Sequence, residues 1–103
     1  MSKVNVYEDG KVIARVEYNN DLDTWDGSNW TSGSTGHHLG ITKLKDGRYV
    51  LIHGTQWQKE SDWAEIIDED EAIQQILKRD KDELLDEFGL REKANETLIE
   101  EDK

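Results

Sequence analysis

The chain has 103 residues, a length typical of one domain, and it has no cysteine, which excludes disulfides, cysteine-ligated zinc and thiol nucleophiles. Its 24 acidic and 13 basic residues give a formal net charge of -11. This balance argues against direct binding of nucleic acid or membranes, because both require clustered Lys and Arg, and it favours a basic protein partner. No apolar run is long enough to span a membrane and residues 1–10 lack a signal-peptide pattern, so we expect a cytoplasmic protein.

Two runs of alternating apolar residues open the chain and predict a β-hairpin. Val4 and Val6 alternate with polar residues, and the same alternation begins again at Val12. The turn lies at residues 8–10, where Asp-Gly is a hairpin signal. A two-residue turn pairs Val6 with Ile13, whereas a three-residue loop pairs Val6 with Val12. The second register gathers the apolar residues on one face, so we predict it.

A second hairpin is predicted further along the chain. The apolar segments 39–44 and 49–57 flank Lys-Asp-Gly at residues 45–47, which repeats the turn chemistry of the first hairpin. Residues 63–67 predict a short fifth strand.

The second half of the chain has helical patterning. Asp68 and Glu71 resemble a capping box, and apolar residues follow at helical spacing. Asp80 and Glu83 repeat the capping pattern, and Gly89 is a natural helix stop. Residues 91–103 have few apolar side chains, so they form either a marginal helix or a disordered acidic tail.

These elements predict an α+β fold within one domain. Residues 1–90 form the domain, with a β-rich part over 1–67 and a helical part over 68–90. We expect a sheet of four or five mainly antiparallel strands, made of the two hairpins and the short strand. One or two C-terminal helices cover one of its faces.

A long loop between the hairpins invites a functional interpretation. Residues 19–38 show almost no strand or helix pattern, and loops of this length are usually functional or disordered. Trp25 and Trp30 argue against disorder, because disordered segments are poor in aromatic residues. The alternative is a structural loop whose tryptophans fold back to cover the end of the sheet.

The second hairpin brings histidines together near the end of this loop. A three-residue turn places Leu39 opposite His53 and makes His37 its diagonal neighbour; a two-residue turn places Gly40 opposite and makes His38 the neighbour. Thr55 and Trp57 share that face in both registers. The candidate ligand-binding residues are Trp25, Trp30, His37, His38, His53, Thr55 and Trp57.

Several chemistries suit this cluster. Two histidines with Asp23 or Asp26 could bind a divalent metal, one histidine could act as a general base, and the tryptophans could stack on a sugar or a base. Residues 32–36 are Gly-rich but lack the lysine of a phosphate loop. The plain alternative is a pair of surface histidines at the rim of the sheet. We assign no catalytic residue, metal or cofactor.

The negative charge is concentrated in the helical half. Residues 59–103 hold 17 of the acidic and 7 of the basic residues. Acids in a first helical turn favour the helix dipole, but the excess continues beyond that turn. It indicates a surface for a basic partner, as in small phage or mobile-element inhibitors that occupy a nucleic-acid groove; the alternative is simply a soluble acidic protein. The candidate partner-binding residues are Asp68, Glu69, Asp70, Glu71, Asp82, Glu83, Asp86 and Glu87.

Three functional hypotheses follow from these patterns. The first, which we prefer, is a non-enzymatic interaction protein that uses the acidic helical surface. The second is a small-ligand module or small enzyme whose site lies between the tryptophan loop and the strand face of His53. The third is a structural subunit with an exposed apolar patch, although a hydrophobic content of 34% leaves little for a large one.

Overall fold

The computed structural model describes residues 3–25, 27–28, 30–31, 37–55 and 61–97. This part of the chain forms seven strands and three helices. The strands are β1 (Lys3–Glu8), β2 (Lys11–Glu17), β3 (Thr24–Trp25), β4 (Trp30–Thr31), β5 (His37–Lys43), β6 (Tyr49–Thr55) and β7 (Trp63–Ile67). The helices are α1 (Glu69–Lys78), α2 (Glu83–Glu87) and α3 (Arg91–Thr97).

Five strands form one sheet in the order β2-β1-β7-β6-β5. All neighbours are antiparallel except β1 and β7, which run parallel. The predicted α+β architecture is therefore confirmed, with the short strand β7 joining the two hairpins. The loop between the hairpins is less irregular than predicted, because β3 and β4 pair as a separate two-stranded ribbon.

The first hairpin differs from the predicted register. Asp9 and Gly10 both have positive φ, 54° and 78°, so the turn has two residues in type I′ geometry. A bulge then shifts the pairing, and Val6 lies opposite Ala14 rather than Val12 as predicted. The bulge places Ala14 and Val16 opposite Val6 and Val4 on the buried face, whereas Val12 pairs with Tyr7 on the other face and is 49% exposed.

The second hairpin follows the three-residue register. Leu39 pairs with His53, and His37 pairs with Thr55. Gly47 adopts a φ of 97°, a left-handed conformation that suits glycine at the end of such a loop. Of the two registers weighed from the sequence, the structure therefore selects the one that makes His37 the diagonal neighbour of His53.

Helix α1 begins as its sequence predicts. The Asp68 side chain accepts a hydrogen bond from the Glu71 N–H at 2.7 Å, which caps the helix. Ala72, Ile73 and Ile76 lie on the buried face of the helix and pack against the sheet.

The rest of the helical half contains two short helices, so the described residues hold two helices over 68–90, within the predicted number, and a third in the tail. Asp80 does not cap α2 as predicted; it has a φ of 55° and follows the end of α1. Gly89 does end α2, with a φ of 72°. The described part of the predicted tail forms α3, whose Ala94 is buried. No helix among the described residues is long and apolar enough to cross a membrane.

Apolar side chains fill both faces of the sheet. Alternate residues of β6 point to opposite sides, and Leu51 and Ile52 therefore belong to different clusters. The cluster under the helices is formed by Leu22, Ile41, Tyr49, Leu51, Ala72, Ile73, Ile76, Leu84, Leu85, Leu90 and Ala94. The cluster on the opposite face is formed by Val4, Val6, Val50, Ile52 and Ala64.

Candidate functional site

The segment that follows β2 crosses the sheet where two strands carry glycine. A Cβ added at Gly40 would collide with Asn19, and one added at Gly54 would lie 2.5 Å from the Tyr18 hydroxyl oxygen. Asn19 uses the space over Gly40 to bond the edge of β5. Its Oδ1 accepts from the Ile41 N–H at 3.1 Å, and its Nδ2 donates to the Ile41 carbonyl oxygen at 3.0 Å. The crossing therefore covers the outer edge of β5.

Asp23 anchors the same segment from a buried position, with only 1% of its side chain exposed. Its Oδ1 accepts from the Leu39 N–H at 2.9 Å. Its Oδ2 lies 2.6 Å from His38 Nδ1 and accepts from Asn20 Nδ2 at 3.2 Å. Three hydrogen bonds offset the desolvation of the carboxylate, so the group is tolerated in the interior.

Two groups around Asp23 have shifted pKa values. Burial raises the pKa of Tyr18, and the negative charges of Asp62 and Asp23 raise it further. Burial lowers the pKa of Arg79, while the charge of Asp23 acts in the opposite direction. Burial is the largest cause of both shifts.

A cleft of about 470 Å³ opens between this segment, Trp30 and helix α2. Its volume lies within the range of about 300–1,000 Å³ that small-molecule sites occupy. Asp23 contributes to it from its buried position, and Leu84 adds an apolar surface. The complete lining is Asn20, Asp21, Asp23, Trp30, Lys81, Glu83, Leu84 and Glu87.

Aromatic and cationic groups meet at the mouth of this cleft. The rings of Trp25 and Trp30 lie 5.2 Å apart and are tilted by 50°, and both side chains are about half exposed. The Lys81 ammonium lies 5.4 Å from the centroid of the Trp30 ring, within cation–π distance. The two candidate tryptophans are therefore neighbours, and a lysine lies over the ring of Trp30.

A second, smaller pocket of about 150 Å³ lies on the strand face of His53. His53 Nε2 lies 2.6 Å from a Glu65 carboxylate oxygen, and its ring stacks on Trp63 at 4.2 Å. The carboxylate fixes the ring orientation and leaves the other nitrogen available for a ligand or a proton. The lining is His37, His53, Gly54, Thr55, Ser61 and Trp63.

The seven predicted ligand-binding residues do not form one site. His37, His53 and Thr55 meet in the small pocket, as the hairpin register predicts. Trp30 lines the large cleft. The side chain of His38 lies on the face of the sheet opposite to that of His53, and it contacts Asp23. Trp57 lies outside the described residues. No described residue lines both pockets.

The eight predicted partner-binding acidic residues fall into two groups of four, according to whether their side chains make a hydrogen bond or ion pair with another described residue. Four have intramolecular roles in the described structure: Asp68 caps α1, Glu69 pairs with Lys93, Glu71 accepts from Gln75, and Asp86 binds Arg91 through two contacts of 3.0 Å. Arg91 lowers the pKa of Asp86 chiefly through these hydrogen bonds. The carboxylates of Asp70, Asp82, Glu83 and Glu87 make no ion pair with another described residue, and the last two line the large cleft.

Sequence patterns missed the groups that complete both pockets. Lys81 lies in the turn between two helices, where nothing marks it as the neighbour of Trp30. Glu65 and Trp63 belong to a predicted strand, but the pairing of that strand with β6 was not assigned. Once β7 is paired with β6, the placement of Trp63 opposite His53 follows from register alone.

The described residues offer no arrangement of side chains that could bind a metal ion. No three His, Asp or Glu side chains there converge around a common point. Asp23 is engaged by His38, away from the pocket of His53, and Asp26 lies outside the described residues. No family model matches the chain, and no curated protein or solved structure is significantly similar to it.

Proposed function

We propose that the protein is a non-enzymatic interaction module that docks on a basic protein partner through its helical layer, residues 68–97. The observation that supports this best is the unequal engagement of charges in that layer. It holds 11 acidic and 5 basic residues. Most of the bases contact groups of the protein itself, whereas several carboxylates face solvent without a cation.

The basic residues are engaged in different ways. Arg91 binds Asp86, Lys93 lies 3.5 Å from Glu69, and Lys81 lies over Trp30. Arg79 donates to Gln75 at 2.7 Å. These contacts hold cations close to the protein, and Arg91 also interacts with the charge of Asp82. Asp70, Glu83 and Glu87 make no ion pair with another described residue. Such a surface attracts a partner rich in Lys and Arg.

The chemistry of the surface sets the expected behaviour of the complex. Exposed charges are screened over about 8 Å at physiological ionic strength, so binding weakens as salt rises. One concrete form of the proposal is occupation of a nucleic-acid-binding groove, as an inhibitor or nucleic-acid mimic. We place the interaction in the cytoplasm, because a chain without cysteine gains nothing from an oxidising compartment.

A pair of charge-matched variants tests the proposal. The layer variant neutralises three unpaired carboxylates, Asp70→Asn, Glu83→Gln and Glu87→Gln. The control variant neutralises three exposed carboxylates of the first hairpin, Glu8→Gln, Asp9→Asn and Glu17→Gln. Both raise the net charge by the same amount, so a difference between them reports the location of the docking surface. Each full-length protein is immobilised, and host proteins retained at low salt are identified and then titrated in purified form.

The proposal expects a Lys- and Arg-rich protein that binds the unmodified chain and the control variant, and that the layer variant loses. The dissociation constant should rise steeply between 50 and 200 mM salt. Equal binding to both variants would show that only overall charge matters, and it would contradict docking through the helical layer. Affinity that does not change with salt would contradict the electrostatic basis.

The second candidate function is binding of a small polar ligand in the pocket of His53. The hydrogen bond between His53 and Glu65 favours it, because a carboxylate-oriented imidazole beside Ser61 and Thr55 can bind or deprotonate a polar group. The same retention experiment separates the two candidates. If the protein is a small-ligand module, neutralising three helical carboxylates should not change which proteins it retains.

A further inference from the structure

The large cleft beside Trp30 offers a specific anchor within the acidic helical layer. Its wall combines the exposed face of Trp30 with the apolar surface of Leu84. Glu83 and Glu87 lie one helical turn apart on the same side of α2, and both line the cleft. An aromatic face beside unpaired carboxylates is the arrangement that recognises an organic cation.

A cation already occupies part of this arrangement. The Lys81 ammonium lies 5.4 Å from the Trp30 ring centroid, and Lys81 itself lines the cleft. Four acidic residues line the cleft together with Lys81: Asp21, Asp23, Glu83 and Glu87. Of these, Asp23 is already engaged by His38. The cleft thus retains an excess of negative charge after Lys81 is counted, so a further cation is electrostatically favoured there.

We propose that this cleft receives an arginine or lysine side chain of the basic partner, and that Lys81 holds the cation position on Trp30 until the partner displaces it. This inference rests on the proposed function and narrows it to one anchor. Arginine fits best, because its planar guanidinium can stack on the indole while it donates to two carboxylates. A half-exposed tryptophan beside a pocket is also a typical hot spot of protein interfaces.

The displacement model makes a prediction that simple charge attraction does not make. Lys81→Ala removes the competing cation from Trp30, whereas Lys78→Ala removes an equal charge from the exposed end of α1. Both variants are one unit more negative, so their non-specific attraction for a basic probe is matched. We expect Lys81→Ala to bind the probe about two- to five-fold more tightly than Lys78→Ala, the factor expected for an exposed cation–π contact.

A second pair of variants tests the receiving groups. Glu83→Gln with Glu87→Gln neutralises the carboxylates of the cleft. Glu92→Gln with Glu96→Gln neutralises two exposed carboxylates with the same spacing on α3. Trp30→Ala is compared with Trp63→Ala, since both tryptophans are exposed to a similar degree, 49% and 42%. Circular dichroism and thermal unfolding of every variant verify the fold, and the glutamine pair remains informative if Trp30→Ala does not fold.

The probe is a fluorescently labelled hexa-arginine peptide, and hexa-citrulline, its neutral isostere, is the reference. Fluorescence anisotropy at 50 mM salt gives the dissociation constants. The inference expects weaker binding in Trp30→Ala and in the α2 glutamine pair than in their controls, tighter binding in Lys81→Ala than in Lys78→Ala, and no binding of hexa-citrulline. Equal affinities within each pair would overturn the cleft as anchor and leave docking through the layer intact. If the unmodified protein does not bind hexa-arginine at all, both proposals fail.

Discussion

Replacement of Gly40 by alanine tests the crossing segment that builds the large cleft. Gly40 has an ordinary strand conformation, so alanine introduces no backbone strain, and its effect is steric. The new Cβ would overlap the carbonyl and side-chain oxygens of Asn19 and lie 2.7 Å from its carbonyl carbon. Because the obstacle includes backbone, the segment itself must move, and the two hydrogen bonds between Asn19 and Ile41 are lost with it.

The expected cost of this substitution is about 3 kcal/mol. Overpacking costs about 1–3 kcal/mol, two lost hydrogen bonds cost about 1 kcal/mol each, and the stiffer unfolded chain returns about 0.4–1 kcal/mol. A loss of this size is a large part of the roughly 5–15 kcal/mol that holds a domain together. In a domain of this length it corresponds to a fall in Tm of roughly 15 °C.

Urea unfolding followed by tryptophan fluorescence and circular dichroism measures this loss. Gly54→Ala is the comparison variant, since the three atoms nearest to its Cβ all belong to the ring end of Tyr18, which can rotate away. We expect it to cost about 1 kcal/mol, near the lower limit for overpacking, and to cost nothing in a Tyr18→Ala background. A Gly40→Ala protein within about 0.5 kcal/mol of the unmodified chain, which is the ordinary range for a neutral surface change, would refute the crossing.

Two further predictions concern titratable groups of the same region. Asp23→Ala should cost about 2–4 kcal/mol in urea unfolding, because it leaves the partly buried Leu39 N–H without its acceptor, whereas an unchanged stability would contradict the anchoring role. The raised pKa of Tyr18 stabilises the folded state below its ordinary value of 10.0, and this contribution is lost as pH rises from there through the folded pKa. Tyr18→Phe should therefore lose less stability between pH 8 and 11 than the unmodified protein, and equal losses would contradict the burial of the hydroxyl.

Local signals in the sequence predict most of the fold. The strands follow from period-two alternation, and the start of α1 follows from Asp68 and Glu71, because each signal acts within a few residues. The register of the first hairpin could not be predicted in this way. Asp-Gly favours the two-residue turn that occurs, but a bulge beyond the turn then shifts the strand. The preference for one buried face predicted the pairing of Val6 with Val12, which is wrong, because the bulge pairs Val6 with Ala14 and leaves Val12 exposed.

The candidate sites depend on contacts that no local pattern encodes. The diagonal relation of a histidine to His53 is a property of one hairpin, and the sequence predicts it as either His37 or His38; the observed register selects His37. The partner of His38 depends instead on the path of the chain over Gly40 and Gly54. The role of these two glycines is recognised only once the sheet order places β2 and β5 at opposite edges. Long-range geometry thus divides one predicted site into two pockets on different parts of the molecule.

The same reasoning separates acids that support the fold from acids that are available to a partner. Composition alone gives every carboxylate of the helical half equal weight. In the structure Asp68 caps a helix and Asp86 forms a bidentate pair with Arg91. These local contacts partly compensate the negative charge of both carboxylates. Glu83 and Glu87 have no such role among the described residues, and they line the same cleft as Trp30. Carboxylates without an ion pair and an exposed indole coincide at this cleft, and the proposed docking site rests on this coincidence.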